Sequence, residues 1–324
     1  MRLPKRIDQL VKEKDVFLDM MRTKLEKSVI RLQASLFEQA IEDIIPRLDV
    51  IDGVIQDTAN NYRLVSELER VYNTFNKKVI NTLLPQINTN LDKIAKLNNN
   101  LMTIVLGADI PARFERVINA AKKITDLRMG LQGGKMVRGG FLMSLLKSDP
   151  TELKQFMSKA VSGQISMKDF IAGIKEKLTG AEDKIGSMER QFKRYAYDTY
   201  QQYDRSYNKS LSDEFGMKYF VYRGGLIKDS RDFCAAHNDK VFSKDEAKEW
   251  PEWTPIKSMN KGEFPEGWEV KQKDLYAVPG YMGYPGYDPL VDAGGYNCRH
   301  VLQYIPDELA YKYRPELREN KKEI

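Results

Sequence analysis

Among 324 residues there are only two cysteines and two histidines, and all four fall in two short clusters, Cys234-Ala-Ala-His237 and Cys298-Arg299-His300. Thiol and imidazole are the side chains that bind borderline-soft metals. A C-x2-H and a C-x-H pair brought together would supply Cys234, His237, Cys298 and His300 as the four ligands of a structural Zn2+. The same residues allow two other chemistries. A Cys234–Cys298 disulfide would close a loop of about 65 residues, which loop entropy values at roughly 4 kcal/mol, although it would not persist in a reducing cytosol. Alternatively, a histidine could act as general base beside a cysteine nucleophile, although no flanking nucleophile motif accompanies either cysteine.

Two further patterns bear on partners. Residues 1–215 carry 35 basic and 28 acidic side chains, residues 216–324 carry 17 and 18, and the whole chain has a net charge of +6. The excess concentrates in residues 111–147, where Lys122, Lys123, Arg128, Lys135 and Arg138 make a candidate contact with nucleic-acid backbone. The Gly-Gly-Lys within this stretch is not a phosphate-binding P-loop. Met129 stands where that motif needs its first glycine, and Met136 where it needs a hydroxyl. Tyr197, Tyr200, Tyr203 and Tyr207, interleaved with Arg190, Arg194 and Arg205, could stack on bases. Tyrosines at this spacing more often pack along a helix with wet hydroxyls.

The elements that must hold these groups divide the chain in two. Up to about residue 215 apolar residues recur at three and four. Leu18, Met21, Leu25, Val29, Leu32 and Leu36 form one face, Leu64, Leu68, Val71, Phe75, Val79 and Leu83 a second, and Ile87, Leu91, Ile94, Leu97, Leu101 and Ile104 a third that Pro85 would open and Gly107 end. The spacing predicts a long helical bundle or coiled hairpin. Shorter helices follow: one facing inward with Phe114, Val117, Ala121, Ile124 and Leu127; one after Pro150; one capped by Ser166-x-x-Asp169 and closed by Gly180; and one over residues 181–215. From Gly216 the texture changes. Residues 218–223 read as a strand, and all three tryptophans and eight of the thirteen prolines lie at Trp250 or beyond. The expectation is a mainly α protein with a helical region over 1–150, a helical connector over 151–215 and a small loop-rich α+β domain over 216–324.

At 42% hydrophobic and 30% charged residues the chain has the composition of a folded globular protein. The charged N-terminus lacks an apolar signal core and no apolar run is long enough to span a bilayer, so assembly in the cytoplasm without membrane contact is expected.

Asp229-Ser-Arg231-Asp-Phe-Cys234-Ala-Ala-His237, continued by Asn238 to Phe242, and then Gly295-Tyr-Asn297-Cys298-Arg299 ahead of Val301-Leu302 and Pro306, resemble the C-terminal domain of phage Mu F-like minor head proteins, the phage head morphogenesis family. The turn at 163–166, the helix over 190–215 and the aromatic strand over 219–222 precede these motifs in the same order, so the resemblance covers about residues 160–306. The chain departs from the family where the second motif commonly ends N-C-R-C, because His300 replaces the last cysteine. That exchange keeps a metal-ligand type and removes a thiol. The resemblance implies a non-enzymatic virion component made in the host cytoplasm. Its partners would be the portal, other capsid or head-tail proteins and packaged DNA, and Asp229, Arg231 and Arg299 would brace the two motifs. The competing expectation is an ejected effector or nucleic-acid-acting enzyme using His237 and His300 as acid and base.

Overall fold

The computed structural model describes residues 4–107, 114–129, 131–132, 135–136, 150–181, 184–186, 189, 198–228, 230–252, 286–295 and 298–322. Most of these residues are helical. The first long helix, α1, spans Lys5–Asp43, and the second, α2, spans Ala59–Leu106. Ile7, Val11, Leu18, Met21, Leu25, Val29, Leu36 and Ala40 are buried along α1, and Leu64, Leu68, Phe75, Leu83, Ile87, Leu91, Ile94 and Leu101 along α2. Both stripes follow the three-and-four spacing that the amphipathic pattern predicts.

Between the helices come a short 3-10 turn, Ile45–Arg47, and a hairpin of two-residue strands, β1 (Val50–Ile51) and β2 (Val54–Ile55). Asp52 and Gly53 at its tip both have positive φ, 50° and 75°, as a two-residue hairpin turn requires. Asn61 secures the turn from the first part of α2. Its amide donates to the carbonyls of Asp49 and Gln56 and accepts from the Asp49 amide.

Sequence spacing predicts a helix break at Pro85, yet α2 runs through it. Proline removes one intrahelical hydrogen bond and crowds the preceding turn. Pro85 is exposed, so the freed carbonyl can turn to water, while Leu83 and Ile87 on either side are buried and hold the helix in register.

Contacts divide the chain into two compact units that interleave along the sequence: residues 1–20, 90–126 and 197–324 form the first, and 21–89 and 127–196 the second. This grouping differs from a contiguous division at 150 and 215. In the second unit Ser28 reaches Gln86 across the antiparallel helices. There, too, α4 (Pro150–Ser162) packs on α5 (Met167–Thr179), with Phe156 stacked on Phe170 at 6.1 Å. Ser166 caps α5 as its sequence predicts, accepting from the Asp169 amide, and Gly180 closes it with φ 90°. The helix expected over 181–215 does not start at 181. Gly180–Ala181 (β5) pairs with Lys184–Ile185 (β6), and the helix itself, α6, covers Thr199–Glu214. Gly186 explains part of this: its backbone packs so close to the Leu178 carbonyl that a Cβ would lie 2.4 Å from it. Arg190, Arg194 and Tyr197 lie outside the described residues.

The remaining helix, α3, spans Phe114–Met129, and a two-residue ladder joins Leu131–Gln132 (β3) to Lys135–Met136 (β4). In the first unit, β7 (Tyr219–Arg223) is the middle strand of a three-stranded antiparallel sheet. β8 (Lys240–Ser243) lies on one side and β9 (Val301–Ile305) on the other. Every residue of β9 and four of five in β7 are buried, because α6 packs against β9 on one face while an aromatic group covers the other. That group is Phe220, Tyr222, Phe233, Phe242 and Trp250, with ring centroids 5.2–6.2 Å apart. Helix α7 (Asp232–His237) connects β7 to β8, α8 (Pro289–Asp292) precedes β9, and α9 (Asp307–Tyr313) follows it.

Candidate metal centre

The two cysteine clusters arrive at one point from different elements. Cys234 sits on α7, while Cys298 and His300 sit on the extended segment leading into β9. Cys234, Cys298 and His300 are all buried, and one ligand atom from each lies within 4.8 Å of the other two. Cys298 Sγ is 3.8 Å from His300 Nδ1. Atoms at about 2.0–2.3 Å from one tetrahedral ion are about 3.3–3.8 Å apart, so a small contraction brings this group to metal-binding geometry. Both cysteines are free, with no bond between them.

Three surroundings of the cluster suit it to a metal. Tyr222 Oη lies 3.2 Å from Cys298 Sγ and 3.4 Å from Cys234 Sγ. Burial and the two neighbouring sulfurs push its phenol well above the ordinary tyrosine value, so it keeps its proton and can donate to a thiolate. Gly294 supplies space: a Cβ there would stand 2.9 Å from Cys234 Sγ and 3.0 Å from Tyr222 Oη. Gly224 does the same for His300, whose Cδ2 would lie 2.9 Å from an added Cβ.

The sulfurs are electrostatically unequal. Burial alone would raise the Cys298 thiol. The hydrogen bonds from Cys234 and His300 and the positive charges of His300 and Arg205 overcome burial and hold Cys298 well below the usual thiol range. Cys234 goes the other way, pushed up by its hydrogen bond to Cys298 and by burial. A divalent cation bound here would take both sulfurs as thiolates.

His237, the fourth ligand expected from the sequence, stands apart from this group. Its Nδ1–H donates to the Phe233 carbonyl at 2.7 Å, one helical turn back. Its ring stacks on Phe233 at 4.0 Å and on Phe242 at 5.0 Å. The aromatic box captures the imidazole, and burial lowers its pKa below the ordinary histidine value. Tyr222 separates the two histidines, stacking on His300 at 4.7 Å and meeting His237 edge-on at 6.0 Å.

Of the expected bracing residues, Arg231 donates to the Gly294 carbonyl and so ties α7 to the segment before β9. Arg299 is half-buried beside the cluster, and Asp229 lies outside the described residues. The residue that holds this segment most firmly is Arg205 on α6, which sequence reasoning assigned only to a tyrosine-rich helix. It is fully buried. Its guanidinium donates to the carbonyls of Val291 at 2.5 Å, Cys298 at 3.1 Å and His300 at 2.8 Å. An arginine on a helix face otherwise rich in buried tyrosine was the only available signal.

The candidate nucleic-acid residues are less closely gathered. Lys122 pairs with Asp92 at 2.9 Å and Lys123 is exposed on α3. Lys135 lies on β4, the side chains of Arg128 and Lys135 are outside the described set, and Arg138 is outside it altogether. The tyrosines of α6 are buried. Tyr200 Oη accepts from the Asn90 amide at 2.8 Å, and Tyr207 Oη donates to Asn99. Their faces pack in the protein core; the hydroxyls of Tyr200 and Tyr207 are bonded where the sequence reading expected them wet, and that of Tyr203 is buried without a partner among the described residues.

No family model, curated protein or solved structure matches this chain. Among the described residues no helix is long and apolar enough to cross a membrane.

Proposed function

We propose that this chain is a phage minor head protein, a structural component of the virion that acts in head morphogenesis at the portal vertex. In this reading a Zn2+ held by Cys234, Cys298 and His300 clips its C-terminal region. The observation that carries the proposal is the meeting of those three side chains. The segments that resemble the Mu F-like motifs, 229–242 and 295–306, are distant in sequence, and Cys234 of the first shares one buried site with Cys298 and His300 of the second. A metal there would cross-link α7 to the approach of β9 and contribute on the order of 10 kcal/mol to folding. The long helices would then present surface to portal, capsid or head-tail proteins, and residues 111–147 would approach packaged DNA.

Two measurements test this reading. Elemental analysis of the purified chain should find one zinc per chain, lost on Cys298→Ala. Two free thiols without metal would end the zinc proposal. Mass spectrometry of purified phage particles should detect the chain at low copy in DNA-filled heads, and its absence from otherwise complete particles would overturn the virion assignment.

A further inference from the structure

Beside the three ligand side chains a pocket of about 100 Å³ opens toward solvent, and its remaining wall includes Ser230, Arg231 and Arg299. We infer that the metal has only three protein ligands and that its fourth position faces this pocket, where it takes a small oxyanion. The inference rests on the metal reading above and adds to it the ligand that completes the site.

Among the described residues no fourth Cys, His, Asp or Glu joins the ligand atoms that lie within 4.8 Å of one another. His237 stands outside that group, its ring stacked on Phe233 and Phe242. Tyr222 Oη stands 3.2 Å from Cys298 Sγ and 3.4 Å from Cys234 Sγ, as a hydrogen-bond partner of the two sulfurs. Cys234, Cys298 and His300, by contrast, all line the pocket themselves, so the open side of the cluster and the pocket are the same space.

Charge favours an anion. Two thiolates and a neutral imidazole around a divalent ion leave a centre with no net charge. A fourth, anionic ligand makes it negative, and the guanidinium groups of Arg231 and Arg299 on the same wall offset that charge. A guanidinium fork also matches two oxygens of a carboxylate or phosphate. Size permits it: by the measure that gives about 100 Å³ here, a single water needs about 10–15 Å³, so the pocket has room for a phosphate or carboxylate group.

The test uses the full-length chain loaded with Co2+, whose visible d–d bands report the ligands of a tetrahedral site. Inorganic phosphate and acetate are titrated separately, with chloride as the control that lacks a two-oxygen face. The expected result is a saturable change in the d–d bands with phosphate or acetate at concentrations where chloride does nothing. The arm that saturates first identifies the preferred oxyanion. Arg299→Gln should still bind Co2+ with an unchanged thiolate charge-transfer band but need about tenfold more oxyanion, the loss expected of one charged hydrogen bond. Co2+ binding with bands that no oxyanion alters would overturn the inference and leave the metal clip standing. So would a change of the anion-free spectrum in His237→Ala, which would make the site a closed Cys2His2 centre. No Co2+ binding would overturn both readings.

Discussion

Gly294 shows how tightly the backbone fits the two thiols. Its substitution by alanine would place a methyl group 2.9 Å from Cys234 Sγ. Gly294→Ala should lower metal affinity more than global stability, and equal Zn2+ binding by the two proteins in competition with a chromophoric chelator would show that the space is not needed. Arg205 is more demanding because three buried carbonyls depend on it. Arg205→Met should cost more than about 3 kcal/mol in denaturant unfolding, and Arg205→Lys should recover little, since an ammonium cannot reproduce the fork.

Asp15 on α1 is another residue whose role appears only in three dimensions. Burial raises its pKa from 3.8 to about 7. Lys14 opposes the shift and the negative Asp204 adds to it, while Asp15 Oδ1 has no hydrogen-bond partner among the described residues. Between about pH 4 and 7 the folded protein therefore keeps a proton that the unfolded chain has released, and stability falls as pH rises through that window. Asp15→Asn removes the effect, so the melting temperature of the variant relative to wild type should climb from pH 5 to pH 8. An offset that is the same at both pH values would show that Asp15 is not buried in this way.

At the scale of elements, local rules succeeded where the signal was a cap, a turn or a stripe. The Ser166 cap, the Gly180 stop, the strand at 219–223 and the buried faces of α1 and α2 all lie where spacing placed them. They failed where packing overrode a local preference. Pro85 is tolerated inside α2, so Pro85→Ala should stabilise the protein by about 1–3 kcal/mol in chemical denaturation. No gain would mean that the helix has already relaxed around the proline. Helix α6 teaches the converse lesson. Its tyrosines and charged residues look like an outward face, with Asp204 and Asn208 among them, yet both are buried beside Lys14 and Asn98 in a polar network. Lys14 Nζ lies 3.1 Å from Asp204, and Asn98 donates to the same carboxylate at 2.8 Å. Buried ionic groups of this kind depend on partners up to 190 residues away in the chain, and no window of sequence contains them.

For the whole molecule, a metal clip would act on the unit that contains it. Removing the metal with a chelator should raise amide exchange over residues 219–223, 232–237 and 298–305, while α4 and α5 of the other unit keep their protection. Uniform loss of protection in both units would show that they unfold together. The sequence by itself determined the mainly helical class, the change of texture near residue 216, and the identity of Cys234, Cys298 and His300 as candidate ligands, because these depend on residue type and short-range periodicity. The tertiary structure alone decided that His237 leaves the ligand group for an aromatic box, that Arg205 grips the carbonyls before β9, and that the open side of the cluster faces two arginines. Each depends on which distant side chains share a small volume, and that is settled by packing the sheet against α6 and α7 rather than by any spacing along the chain.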